Sequence, residues 1–232
     1  MTGGALNARL LSAAEFVRQD ATFADVGTDH AYLPLFLLEG GRISYAYCSD
    51  INEGPLASAK RNAEARGMLD RMDFILTDGA AVLGGRGITD YAICGMGGEL
   101  IADIIAAAPH LMDGSVNLIL QPMTRQPYLR RFLAEHGFLI RQESYSYDAG
   151  KYYVCMQVEY VGGSVEIGDV ESEIGSNSCR FIGDAARLGY INGILSARKK
   201  ALEGKKIGGI DTATDEKVIE ALEALVLQLK EG

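Results

Sequence analysis

The stretch TFADVGTDHAYLP, Thr22 to Pro34, decides how this 232-residue chain is read. Thr22 to Val26 is a mostly apolar run of strand length. Gly27 then lets the backbone turn tightly and lets a ligand come close. Thr28, Asp29 and His30 follow, and Ala31 to Glu39 reads as a short helix that stops at Gly40-Gly41. Strand, glycine turn and helix form the first unit of an alternating fold.

The same alternation runs outward from this unit. Before it, Leu6, Leu10, Ala14 and Val17 fall on one face of a helix over Asn7–Gln19. After it come strands at Ile43–Ser49, Met72–Leu76, Tyr91–Cys94 and Val116–Leu120. Helices are expected at Glu53–Arg66, Gly98–Ala108 and Gln126–His136. Two longer runs, Phe138–Tyr147 and Tyr152–Tyr160, flank Asp148-Ala149-Gly150-Lys151 and read as a hairpin. The class is therefore α/β: a Rossmann-like parallel sheet with helices on both faces, ending in an antiparallel hairpin strand.

Past Val161 the character changes. Residues 162–176 read as an acidic linker, with four acids and no base between Glu166 and Glu173. Residues 177–232 read as a small helical hairpin. Its helices are expected at Arg180–Lys200 and Thr214–Leu229, with a break at Lys205–Gly209. Residues 1–161 form the main domain in this division.

Composition limits what the chain can be. With 48% hydrophobic residues it is no disordered chain. A net charge of −9 excludes a surface that is basic all over but permits a local basic face. No apolar run is long enough to span a membrane, and the first residues do not read as a signal peptide. Cys48, Cys94, Cys155 and Cys179 have no paired spacing and read as buried thiols of a reducing, cytoplasmic protein. His30, His110 and His136 have no ligand spacing, so no metal site is expected.

In open α/β sheets ligands bind beyond the carboxyl ends of the strands. The first such segment, Gly27-Thr28-Asp29-His30, has one glycine rather than the three of a dinucleotide cradle, which argues against a nicotinamide oxidoreductase. Its polar residues suit a charged amino-acid tail, with Asp29 accepting from an ammonium group; a plain helix cap is the alternative. After the second strand, Asp50 lies 23 positions past Gly27, where an acid reads ribose hydroxyls, unless it caps the next helix. After the third, Asp78-Gly79 suits an exocyclic amine or is a simple turn. After the fourth, Cys94-Gly95-Met96-Gly97-Gly98 leaves backbone amides bare at a helix start. After the fifth, Gln121-Pro122-Met123 can present an amide to a base edge.

Taken in order and spacing, LNARLL (6–11), DVGTDHAYLP (25–34), CSDIN (48–52), TDGA (77–80), ICGMGG (93–98), LQPM (120–123) and YYVCMQVE (152–159) resemble the bacterial tRNA (adenine-22-N1)-methyltransferase family. The resemblance covers about residues 6–160. It implies a class I methyltransferase fold, S-adenosyl-L-methionine as cofactor, and N1 of adenine 22 in tRNA as acceptor. It places Arg9, Gly27, Thr28, Asp29 and His30 at the methionine part of the cofactor. Asp50, Ile51 and Asn52 fall at the ribose, Asp78 and Gly79 at the adenine. Cys94, Gly95 and Met96 line the cofactor, while Gly97, Gly98, Gln121, Pro122 and Met123 face the target base. Asp29 is the expected catalytic carboxylate, since the methylated base is cationic. The C-terminal hairpin resembles the family's coiled-coil domain in architecture alone and is expected to be short for the family.

A tRNA partner requires segregated charge. Residues 177–206 hold seven basic and two acidic side chains. Lys199 and Lys200, with Arg125, Arg130 and Arg131 of the helix after the fifth strand, are expected to face the RNA. No membrane and no obligatory protein partner is called for. The competing functions are methyl transfer to another RNA base or a small molecule, and a non-catalytic cofactor- or RNA-binding module.

Overall fold

The computed structural model describes residues 6–176 and 179–231. Five parallel strands carry the fold: β1 (Ala21–Val26), β2 (Ile43–Asp50), β3 (Met72–Leu76), β4 (Asp90–Gly97) and β5 (Asn117–Thr124). Helix α1 (Ala8–Phe16) precedes them, and α2 (Tyr32–Glu39), α3 (Glu53–Ala65), α4 (Gly98–Ala106) and α5 (Gln126–Glu135) connect or follow them. The hairpin of β6 (Phe138–Asp148) and β7 (Lys151–Tyr160) closes the sheet, with β7 antiparallel to β5. Every strand and helix expected up to Tyr160 is present, with ends shifted by a few residues.

The strand order is β3-β2-β1-β4-β5-β7-β6-β8. Chain order reverses between β1 and β4, so their carboxyl ends open the crevice where ligands bind in such sheets. Side chains alternate across the sheet. Phe23 packs with Leu35, Ala59 and Cys48 on the α1–α3 side. Ala24 and Val26 pack with Ile101, Ile105 and Leu129 on the α4–α5 side. Burial on both faces explains why these strands lack a polar face.

Two differences appear after β7. Asp169–Ile174, inside the expected acidic linker, forms a helical turn, α6, whose Ser172 and Glu173 are buried. Arg180–Ile182 is not the start of a helix; it is an eighth strand, β8, parallel to β6. A three-residue edge strand is too short to show a period of its own. Helices α7 (Asp184–Ile207) and α8 (Ala213–Glu231) then turn back at Gly208-Gly209. Tyr190, Ile191, Val218, Leu222 and Val226 of this pair share one core with Leu118, Leu120, Leu129 and Leu133. No helix among the described residues is long and apolar enough to cross a membrane.

Candidate functional site

The turn after β1 is fixed by its neighbours. Gly27 has φ +78, and the N–H groups of Gly27 and Thr28 both donate to the Ser49 carbonyl at 2.8 Å. His30 and Ala31 also take left-handed backbone, at φ 62 and 54, a costly conformation that the fold must hold in place. Asn62 of α3 does so by donating to the His30 carbonyl at 2.9 Å. A Cβ on Gly27 would overlap the Cε of Met96, so the β4 loop lies directly across this turn. Met96 is unbranched and can swing aside for a ligand.

Beside the turn is a cleft of about 250 Å³, lined by Arg9, Asp25, Gly27, Asp29, Tyr32 and Cys94. Asp25 is buried at the end of β1 and accepts from the Thr28 hydroxyl. Burial pushes its carboxyl up to about 6; the Thr28 hydrogen bond opposes this, nearby Asp50 adds to it and Arg9 opposes it. Arg9 donates from Nη1 to Gln121 Oε1 at 2.6 Å, and Gly95 N donates to the same oxygen at 3.1 Å. One side-chain amide thus ties α1 to the glycine loop after β4. Burial also lifts the Cys94 thiol to about 12, which keeps it protonated and unreactive.

The donor set matches an amino-acid zwitterion: Arg9 for a carboxylate, Asp25 and Asp29 for an ammonium group. Asp50 stands at the end of β2, and its Oδ1 accepts from Asn52 N at 2.7 Å rather than from the first turn of α3. Buried Ser49 Oγ, next to it, has no hydrogen-bond partner among the described residues. Ile51, Asn52 and Asp78 are exposed on the same edge, and Gly79 turns at φ +72 against Ile104. These features fit a nucleoside bearing an amino-acid tail.

Several expected contacts are placed otherwise. Thr28 is fully buried and its hydroxyl serves Asp25, so its side chain does not face the cleft. Gln121 is fully buried with its oxygen already shared, and Pro122 is buried, so of this tripeptide only Met123 reaches the surface. Gly98 is buried, and a Cβ there would stand 2.5 Å from the Arg125 carbonyl oxygen, so glycine permits close packing of two turns. Arg130 does not face RNA. It is fully buried, paired with Glu143 at 2.7 Å, and donates to the carbonyls of Ser172 and Glu173 at 2.9 and 2.8 Å. Arg131 pairs with Asp169 at 2.7 Å. Lys199 pairs with Glu223 at 2.5 Å, Lys205 with Asp215 at 2.5 Å and Lys206 with Glu216 at 2.8 Å. The basic face of α7 is therefore largely matched by acids of α8, whereas Lys200 is exposed and takes part in no ion pair among the described residues. Arg125 is exposed and lies 3.4 Å from Glu99.

Asp25 and Tyr32 are the site residues that the sequence reading passed over. The signal for Asp25 was present: a carboxylate inside a strand that is otherwise apolar needs a reason to be buried.

A methyltransferase-domain family model matches residues 6–156. The tRNA (adenine(22)-N(1))-methyltransferase of Bacillus subtilis is 34% identical over 154 residues, which spans 66% of this chain and 65% of that relative. A candidate tRNA (m1A22) methyltransferase of Streptococcus pneumoniae, solved with S-adenosyl-L-methionine, is 31% identical, with TM-score 0.80 over 96% of this chain and all (100%) of that one. The solved m1A22 tRNA methyltransferase of B. subtilis is 27% identical, with TM-score 0.76 and 98% of both chains covered, so the C-terminal part is not short beside it, contrary to expectation. With the glycine turn, the acids around it and this likeness along nearly the whole length, the chain belongs to the methyltransferase-domain family and, within it, to the bacterial tRNA (adenine-22-N1)-methyltransferases.

Proposed function

We propose that the protein transfers a methyl group from S-adenosyl-L-methionine to N1 of adenine 22 in tRNA, a reaction of the bacterial cytoplasm. The observation that carries this reading is the cleft at the β1/β4 switch point, where Arg9, Asp25 and Asp29 line one space beside Gly27, the one residue of the turn without a side chain. Arg9 holds the carboxylate of the methionine part, and Asp25 and Asp29 its ammonium. Gly27 and Gly95 let the backbone approach. Asp50 receives the ribose hydroxyls and Asp78 the adenine amine. When bound, the cofactor supplies a methyl group already activated on a sulfonium.

The protein's remaining work is alignment. N1 of adenine carries a free lone pair at neutral pH, so little acid–base help is needed. Orientation alone is worth about 7–11 kcal/mol in well-aligned reactions. N1 lies on the pairing edge, so the base must leave its stack, at a cost of a few kcal/mol. Gly97 and Met123 border the space for it, and Arg125 stands at the rim. Asp29, largely exposed there, faces the positive charge that develops on the base.

The test is incubation of the protein with labelled S-adenosyl-L-methionine and an unmodified tRNA transcript, beside one in which adenine 22 is replaced. Label confined to the first transcript supports the reading. Equal labelling of both, or label on neither, overturns it.

A further inference from the structure

The β6–β7 tip carries an aromatic surface that the pocket does not use. Register fixes where it stands. Leu120 of β5 faces Met156 of β7, and β7 runs the opposite way, so continuing that register sets Tyr152 level with Thr124, the last residue of β5, and the tip at the carboxyl end of the sheet. Tyr147 pairs with Tyr152 and Asp148 with Lys151 across the tip. One strand spacing is about 4.8 Å, which puts the tip roughly 10–15 Å to the side of the β4 glycine loop. That is one or two nucleotides away from a base held at the loop.

The two rings are built as a shelf. Tyr147 is 55% exposed and Tyr152 41%. Their centroids are 4.7 Å apart, with planes tilted by 47°. The Tyr152 ring rests in a hollow of α7 that exists because residue 189 is glycine; a Cβ there would overlap it. One ring is thus held from behind while both keep an open side. A cross-strand aromatic pair that served only the hairpin would gain more by burial. Lys151 is exposed between the rings in sequence and enters no ion pair among the described residues. The α7 lysines, by contrast, are mostly engaged by α8.

We propose that this tip is an RNA contact: Tyr147 and Tyr152 stack on an unpaired base beside the extruded adenine, and Lys151 meets a neighbouring phosphate. Pulling one base from a stack leaves its neighbours with an open face, and an aromatic shelf replaces the lost partner. The inference rests on the tRNA reading above and adds where the RNA is held.

Tyr147→Leu, Tyr147→Phe, Tyr152→Leu and Lys151→Ala proteins are compared with wild type for binding of an unmodified tRNA transcript and of S-adenosylhomocysteine, and for melting. Stacking on one base predicts that each Leu variant weakens tRNA binding by about fivefold to a hundredfold. Tyr147→Phe keeps the affinity, because the ring and not the hydroxyl acts. S-adenosylhomocysteine binding stays unchanged. Tyr147, the more exposed ring, carries the decision should Tyr152→Leu loosen α7. If Tyr147→Leu melts like wild type and binds tRNA within twofold of it, the tip proposal is overturned and the methyl-transfer reading stands. If wild type itself neither binds nor methylates tRNA, both fall.

Discussion

Arg9 of α1 and Gln121 within β5 lie 112 positions apart in the chain and meet at 2.6 Å. The same Gln121 oxygen holds Gly95 N, so a single acceptor sets the place of the cleft's cation and of its glycine loop. Gln121→Leu keeps the volume and removes the acceptor. Two donors are then left short of a partner, at about 1–3 kcal/mol for each that stays buried. The expected result is S-adenosylhomocysteine binding weakened about tenfold or more, with the loss much smaller in Gln121→Glu, which still accepts from both. Calorimetry on the two variants decides it; equal affinity in all three proteins would show that Arg9 needs no such orientation.

Asp25 makes the site sensitive to pH. Its carboxyl is held at about 6, above the usual 3.8, chiefly by burial. A raised folded value means that the protonated acid is favoured in the native state. The matching stability is fully present below about pH 4 and is lost as pH rises through 6, roughly 2–4 kcal/mol in all. An ammonium ligand has the opposite preference, because it needs the carboxylate. Cofactor affinity should therefore fall from pH 7 to pH 5, approaching tenfold per pH unit below 6, and binding at pH 6 should release protons. Titration calorimetry in buffers of different ionisation enthalpy reads this directly. Asp25→Asn should flatten both dependences; a flat wild-type profile would contradict the assignment.

The buried pair of Arg130 and Glu143 holds the C-terminal part to the sheet. Both side chains are 0% exposed, the Tyr145 hydroxyl donates to Glu143 at 2.5 Å, and Arg130 also caps the α6 carbonyls. Removing one partner strands a buried charge, so Arg130→Met or Glu143→Leu alone should cost about 3–5 kcal/mol in denaturant unfolding. The double variant should lose clearly less than the sum of the two. Full additivity would mean that the pair does not act as a unit.

What the sequence made legible follows the range of each signal. The β1–β5 strands and their helices declare themselves through local period and glycine stops, and the cleft acids sit at strand ends where the pattern says to look. Arg130 was misread for the opposite reason. On its own helix it is one of two adjacent arginines, and only Glu143 and the carbonyls of Ser172 and Glu173, brought in by β6 and α6, bury it. Gln121 looked like a base contact because a polar residue at a strand end has nothing local to satisfy it; Arg9 arrives from the far end of the chain. Lys199, Lys205 and Lys206 formed a basic run in sequence, while their acids lie on α8. In each case the decisive partner stands on another element, beyond the reach of the local pattern.

The α7–α8 seam gives a further prediction. Lys199 and Lys206 are about half exposed and face Glu223 and Glu216 at 2.5 and 2.8 Å. The Lys206 ammonium beside Glu216 holds that carboxyl below its ordinary range. If the α7 face touches the RNA backbone, these glutamates compete with phosphates for the same ammonium groups. Glu216→Gln with Glu223→Gln should then tighten tRNA binding at low salt. It should also steepen the dependence of log affinity on log salt by about 0.9 for each lysine that gains a phosphate. Fluorescence anisotropy across a potassium chloride series measures both quantities. An unchanged slope would place the RNA away from α7 and leave the sheet's carboxyl edge, with Lys151 and Arg125, as its cationic footing.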